Sequence, residues 1–221
     1  MKRLLRLLTV LLLASVTVAQ ADINAFYPGY GVARAQASGA QFSVGIPTKD
    51  FEYFAAPQTA GHQRSLNWCW AACVQMVLND YGIYATQEEI VQRNFGRQVD
   101  TTANASQIAS ALTGWGRNIR GRVSVVSAAA YVPNSVNAFD LLTDLSFRRP
   151  LIVGLNNPGM NTSHAYVLTA VEYCAGQNGL PLISKAVLRD PWPGNQSRLE
   201  ISGQEFLSRL NSVVRVAVQN Y

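Results

Sequence analysis

Between Asn67 and Tyr81 the apolar positions leave almost no polar face. Trp68, Trp70, Ala71, Ala72, Val74, Met76, Val77 and Leu78 cover the whole circumference of a 3.6-residue repeat. This predicts a buried central helix, with Asn67 placed to cap it and Gly82 to end it in a left-handed conformation. Thr86 and Glu89 have the spacing of a capping box, so a second helix starts there. A third is expected over Ala103 to Thr113 and a fourth over Val136 to Ser146. The pattern then changes. Pro150 to Leu155, His164 to Cys174 and Leu182 to Asp190 are short apolar runs of strand character. "AGQNGLP" joins the last two as a hairpin connection, and "FLSRLNSVVRVAVQNY" reads as a short helix and a closing strand. Helices first and strands later predict an α+β chain, a helical lobe facing an antiparallel sheet lobe, with any site between them drawing residues from both.

The first residues change this picture. Lys2, Arg3 and Arg6 precede an apolar run from Leu7 to Val18, and Ala19-Gln20-Ala21 has the small-x-small form of a cleavage site. Residues 1–21 therefore read as a signal peptide rather than an uncleaved anchor, since the run is short for a membrane span. The expected mature protein starts at Asp22, is exported to the periplasm or secreted, and has no membrane association after cleavage. Residues 22–53, rich in Gly, Ala and aromatics with turn signals at "YPGYG" and "GIPTKD", read as an extended arm or short pro-segment before a domain over 54–221. The formal charge of +5 includes the three signal-peptide cations, so 5 − 3 leaves +2. Scattered cations of that net size give no reason to expect nucleic acid as a partner. Three cysteines, Cys69, Cys73 and Cys174, are too few for a disulfide scaffold and leave at least one thiol free.

Cys69 is the candidate for chemistry. It stands near the start of the buried helix, where unpaired N–H groups and the helix dipole favour an anion and lower a thiol pKa. A thiolate nucleophile also needs a base and oxyanion donors. His62 lies on the loop before the helix. His164 opens a strand on the other lobe, where it can meet a helix N-terminus, and Asp190 ends the next strand of the hairpin, where it can orient the imidazole. Gln63, six residues before Cys69, could add its side-chain NH2 to the Cys69 backbone N–H in an oxyanion hole. A disulfide, a core thiol and a zinc ligand compete for Cys69. Zinc is disfavoured by geometry. If His164 touches Cys69, Cys174 lies ten residues along the strand, roughly 30 Å away at about 3.3 Å per residue.

Gln63-x5-Cys69-Trp70-Ala71, then "SHAYVLTA" from Ser163, then "RDPWPG" around Asp190 together resemble the papain-like cysteine peptidases. They are most similar to the bacterial branch with bacteriocin-leader peptidases and papain-like effector proteases. The resemblance spans roughly Phe54 to Tyr221. It implies Cys69 as nucleophile, His164 as general base and acid, Asp190 as orienting residue and Gln63 as oxyanion donor. Trp192 matches a tryptophan that shelters the histidine's hydrogen bond from water, and Trp68, Trp70 and Ser163 are expected at the substrate cleft. "RRPLIVGL" resembles the strand before the histidine in the bacterial branch. The interval from His164 to Asp190 is long for the family, and the segment before Gln63 is shorter than a papain pro-domain. The implied protein is a peptidase acting on protein or peptide substrates with no cofactor and no metal; its sequence carries no signal for oligomerisation, so a monomer is the default. Acyl transfer or amidase chemistry on the same residues, and a non-catalytic binding module, are the alternatives.

Overall fold

The computed structural model describes residues 41–56, 61–119, 122–176 and 180–220. The signal-peptide reading, the first part of the arm and the middle of the "AGQNGLP" connection lie outside them. Strand β1 (Gln41–Gly45) and helix α1 (Thr48–Ala55) precede helix α2 (Cys69–Asp80), α3 (Gln87–Phe95) and α4 (Ala105–Leu112). A hairpin of β2 (Gly116–Ile119) and β3 (Arg122–Tyr131) leads to α5 (Ala138–Ser146). Then follow β4 (Leu151–Asn156), β5 (Ser163–Ala175), β6 (Pro181–Arg189), β7 (Arg198–Ser202), α6 (Gly203–Arg209) and β8 (Leu210–Asn220). The strands form one antiparallel sheet in the order β2-β3-β8-β4-β5-β6-β7, with β1 also pairing with β5.

The fold class expected from the pattern is the one observed, and the sheet's alternation explains how its two faces are filled. On β4, Ile152 packs with α2, while Leu151, Val153 and Leu155 pack on the other face. On β5, Ala165 and Val167 share the first core, and Tyr166 and Leu168 the second. Successive strand side chains point to opposite faces, so a strand buried on both sides is apolar throughout. Helices α1 to α4 cover one face, and α5 with Phe206 of α6 cover the other. Helix α2 lies at the centre of the first core: Trp70, Met76 and Leu78 are at most 1 % exposed. Each such side chain contributes roughly 1.5–3 kcal/mol by leaving water.

Four details depart from the sequence reading or add to it. Part of the expected arm belongs to the fold: Val44 and Phe51 are buried, β1 pairs with β5 over Ala170–Cys174, and α1 contacts α2. Gln41–Gly45 has alternation too brief to stand out, and only the neighbouring strand makes it a strand. Asn67 does not cap α2: Trp68 occupies the N-cap position with no side-chain cap, and the Asn67 N–H donates to Asp100 Oδ1. The closing strand β8, whose place in the sheet has no signal in the sequence, lies between β3 and β4. The β2–β3 hairpin and β7 were not expected.

Candidate active site

Three helices begin with a complete capping box: Thr86 with Glu89 on α3, Asn104 with Gln107 on α4, and Asn137 with Asp140 on α5. Helix α2 has none. A side-chain cap stabilises a helix start by about 1 kcal/mol. Its omission leaves the first N–H groups of α2 for something other than a cap, and Cys69 stands on that first turn.

Strand β5 brings His164 to this helix end. His164 pairs with Leu155 of β4, and Arg189 at the end of β6 pairs with Val167. That register sets Asp190, the next residue, beside the mouth of β5. His164 Nε2 lies 2.9 Å from Asp190 Oδ1, which leaves Nδ1 for the Cys69 sulfur. The long interval between His164 and Asp190 is absorbed by two long strands whose pairing shifts register twice, between Leu168 and Ala170 and between Glu172 and Tyr173.

Asp190 is buried, 2 % exposed, and its oxygens are saturated. Oδ1 also accepts from the Trp192 N–H at 2.9 Å, and Oδ2 accepts from Asn195 Nδ2 at 2.7 Å. Burial alone would raise its pKa, but the hydrogen bonds from His164, Asn195 and the Trp192 N–H hold it below the usual carboxylate value. Burial also works against a charged His164. The hydrogen bonds to Asp190 and Cys69 and the negative charges of both overcome it, and the imidazole pKa rises to about 9. For Cys69, burial raises the pKa, while the His164 hydrogen bond and charge, with the N–H groups of Ala165 and Trp70, bring it below the ordinary value. Cys73, one turn further along α2, is wholly buried, and burial together with the nearby Cys69 and Asp190 charges pushes its thiol well up. The arrangement therefore shifts two thiols on one helix in opposite directions, Cys69 toward the anion and Cys73 toward the neutral thiol.

Other expected residues fall differently. Trp192 is 39 % exposed, its ring meets the His164 ring edge-on at 6.1 Å, and its backbone N–H donates to Asp190. Trp70 lines the cleft from beneath while its Nε1 donates to Thr101 O, and Ser163 is exposed on the cleft wall. Trp68 is not a cleft residue. It is buried and donates to Val99 O at 2.8 Å, because an apolar ring before α2 does better in the core. Gln63 is buried, and its backbone N–H donates to Pro191 O, which ties its loop to the segment after Asp190. Its Nε2 donates to Ser65 O and Leu66 O rather than pointing toward the sulfur.

Two further residues border the site. Tyr166 packs its ring edge-on against His164 at 4.8 Å. The two-residue strand period puts it on the His164 face, so this contact was available from the spacing. Asn195 sits in a turn after "DPWPG", where a polar residue carries no positional signal.

Between α2, α4 and the sheet runs a cleft of about 520 Å³ with Cys69 and His164 in its wall. Thr102, Ala103 and Ile108 line one side, and Gly154, Ser163 and Ser212 the other. Apart from Cys69 and His164, no ionisable side chain among the described residues lines it. Cys174 is remote at the distal end of β5, paired with Leu182, and all three cysteines are unbridged. Among the described residues no group of three or more His, Cys, Asp or Glu is arranged to hold a metal, and no helix is long and apolar enough to cross a membrane.

The model of a family described as papain-like cysteine protease AvrRpt2 matches residues 51–211. Among solved structures, the chain is similar to the peptidase domain of Streptococcus ComA, a bifunctional ABC transporter involved in a quorum-sensing pathway. The identity is 16 % and the TM-score 0.46, over 71 % of this chain and 95 % of that one. No curated protein matches the sequence.

Proposed function

The chain belongs to the papain-like cysteine protease family, and from that premise we propose that it hydrolyses peptide bonds with Cys69 as nucleophile, His164 as general base and acid, and Asp190 as the residue that orients the imidazole. The observation that carries this reading is the Cys69 thiol at the uncapped start of α2, against an imidazole held at 2.9 Å by a buried carboxylate. The raised His164 pKa and lowered Cys69 pKa favour a resting thiolate–imidazolium pair.

The thiolate attacks the scissile carbonyl carbon, forming the C–S bond, and the carbonyl π pair moves onto oxygen. The Cys69 N–H at the helix start stabilises that oxyanion. Gln63 is the second donor, and its Nε2 must exchange the Ser65 or Leu66 carbonyl for the substrate oxygen to act so. As the C–N bond breaks, the His164 imidazolium gives its proton to the leaving nitrogen. The neutral imidazole then takes a proton from water, which attacks the thioester. Cys69 departs as thiolate, and the product acid is released. Asp190 accepts the Nε2–H throughout, which fixes the tautomer and leaves Nδ1 to move the proton. The cationic start, apolar run and Ala19-Gln20-Ala21 site support an exported protein.

Mapping products from a peptide library with wild type and Cys69→Ala tests the reading. Cleavage at defined bonds is expected, lost in the variant. Cleavage that persists unchanged in Cys69→Ala would overturn it, and products joined to an added amine would turn the assignment to acyl transfer.

A further inference from the structure

Gln87 is wholly buried at the first position of α3, and none of its amide atoms is idle. Its Nε2 donates to His62 O at 2.8 Å, and its Oε1 accepts from the Arg64 N–H at 2.9 Å. These two backbone groups flank Gln63. The same Nε2 donates to Gln75 Oε1 at 3.1 Å, and Gln75 Nε2 donates to Ala85 O at 2.8 Å. Gln75 lies on α2, the helix that begins with Cys69, and is 4 % exposed. Neither amide can be turned over. The inverted Gln87 would face its oxygen toward His62 O and Gln75 Oε1, and its NH2 toward the Arg64 N–H. The third support of the loop comes from the Gln63 N–H, which donates to Pro191 O next to Asp190.

We propose that Gln87 is a positioning residue for the oxyanion site: with Gln75 it locks the loop carrying Gln63 to the helix carrying Cys69, so that the Gln63 amide and the Cys69 N–H keep one separation through the reaction. This rests on the peptidase reading given above. A buried amide pair suits the task because each hydrogen bond is directional and water does not compete for it. The Gln63 side chain must exchange acceptors when an oxyanion forms, and a loop held on both sides lets the side chain turn without the backbone following. Part of the loss on removing an oxyanion donor, about 10²–10³-fold in kcat, is then expected when the donor is merely misplaced.

The test compares two reactions of the same sulfur. Alkylation of Cys69 by iodoacetamide displaces iodide at a tetrahedral carbon and forms no oxyanion. Hydrolysis of a peptide anilide selected from the library does form one. Gln87→Met keeps the volume and removes every hydrogen bond. Gln87→Glu keeps the acceptor for the Arg64 N–H and serves if the Met variant fails to give a cooperative thermal transition. Expected for either is an alkylation rate within about twofold of wild type, KM within about twofold, and kcat lower by about 10- to 100-fold. Gln63→Ala should lower kcat by at least as much. If kcat is unchanged, or alkylation and kcat fall together, the positioning role is overturned while the peptidase reading stands. A wild type that alkylates at Cys69 and hydrolyses nothing overturns the peptidase reading itself, and the role of Gln87 with it.

Discussion

Replacing Asp190 by Asn removes the charge behind His164 and leaves the geometry nearly intact. The Asn carbonyl can still accept from His164 Nε2 and from the Trp192 N–H, which already share Oδ1 in the native protein. The new NH2 would face Asn195 Nδ2, so Asn195 must turn its amide and offer its oxygen. What changes is the stability of the imidazolium. Its pKa is about 9 in the folded protein against 6.5 ordinarily. At about 1.36 kcal/mol per pH unit, that difference favours the charged ring by about 3 kcal/mol, net of burial, which opposes it. Asp190 and Cys69 share the favourable part. Loss of the carboxylate charge with retention of one hydrogen bond should remove about a third to a half of it, about 1–1.5 kcal/mol, or roughly one pH unit. The alkaline limb of kcat/KM, where the proton donor for the leaving amine is lost, should therefore move from about 9 to about 8 in Asp190→Asn. The acid limb, set by Cys69, should rise, since a less firmly charged partner holds the thiolate less well. The assay is kcat/KM for one peptide anilide across pH 4 to 10, which reports the free enzyme's coupled ionisations. An alkaline limb that stays at its wild-type position, with activity otherwise retained, would refute the claim that Asp190 sets the charge of His164.

Further consequences follow from other contacts. At about pH 5.5, iodoacetamide should label Cys69 and leave Cys73 unmodified in the folded protein, since their pKa values move in opposite directions on one helix; peptide mapping that finds equal labelling would contradict the site's electrostatics. Asp80, at the carboxyl end of α2, has its pKa raised to about 6 by burial against an opposing Arg148, with Asp50 adding to the rise. A raised acid keeps its proton longer when folded, so its contribution is full below about 3.8 and is lost as pH rises through about 6. Asp80→Asn should therefore stabilise the protein by about 1–2 kcal/mol at pH 7, after allowing for partial solvent access, and by nearly nothing at pH 3.5 in urea unfolding. A Cβ at Gly154 would come within 2.4 Å of both Asn211 Oδ1 and Ser212 Oγ. Gly154→Ala should thus push these flexible ends into the cleft and raise KM several-fold while leaving Cys69 alkylation unchanged. Asn195→Ala leaves Asp190 Oδ2 without its donor and should lower kcat/KM by about 3- to 10-fold, with the melting transition lowered by an amount consistent with about 1–2 kcal/mol.

Local chemistry decided a good deal of this protein before any tertiary contact. The apolar circumference of α2, the Thr86–Glu89 capping box of α3 and the doubly apolar runs of β4 and β5 each depend on residues within one or two turns or one strand, so their signals are short-range and readable. The residue types at Cys69, His164 and Asp190, in that order on a helix start and two adjoining strand ends, already described a thiol, a base and an orienting acid. Pairing partners and side-chain directions were another matter. Gln41–Gly45 becomes a strand only because Ala170–Cys174 lies beside it, and β8 becomes central only because β3 and β4 close on both its edges. Trp68 has the composition of a cleft residue and the position of a core residue, which only the burial of its neighbours could decide. Gln63 had the right spacing from Cys69, yet its Nε2 donates to the carbonyls of its own loop, and that loop is held by Gln87 and Pro191, 24 and 128 residues away. A hydrogen bond between groups so far apart in the chain leaves no periodicity behind. Sequence spacing therefore carried the reactive groups, while the folded chain alone determined which amides hold them in place.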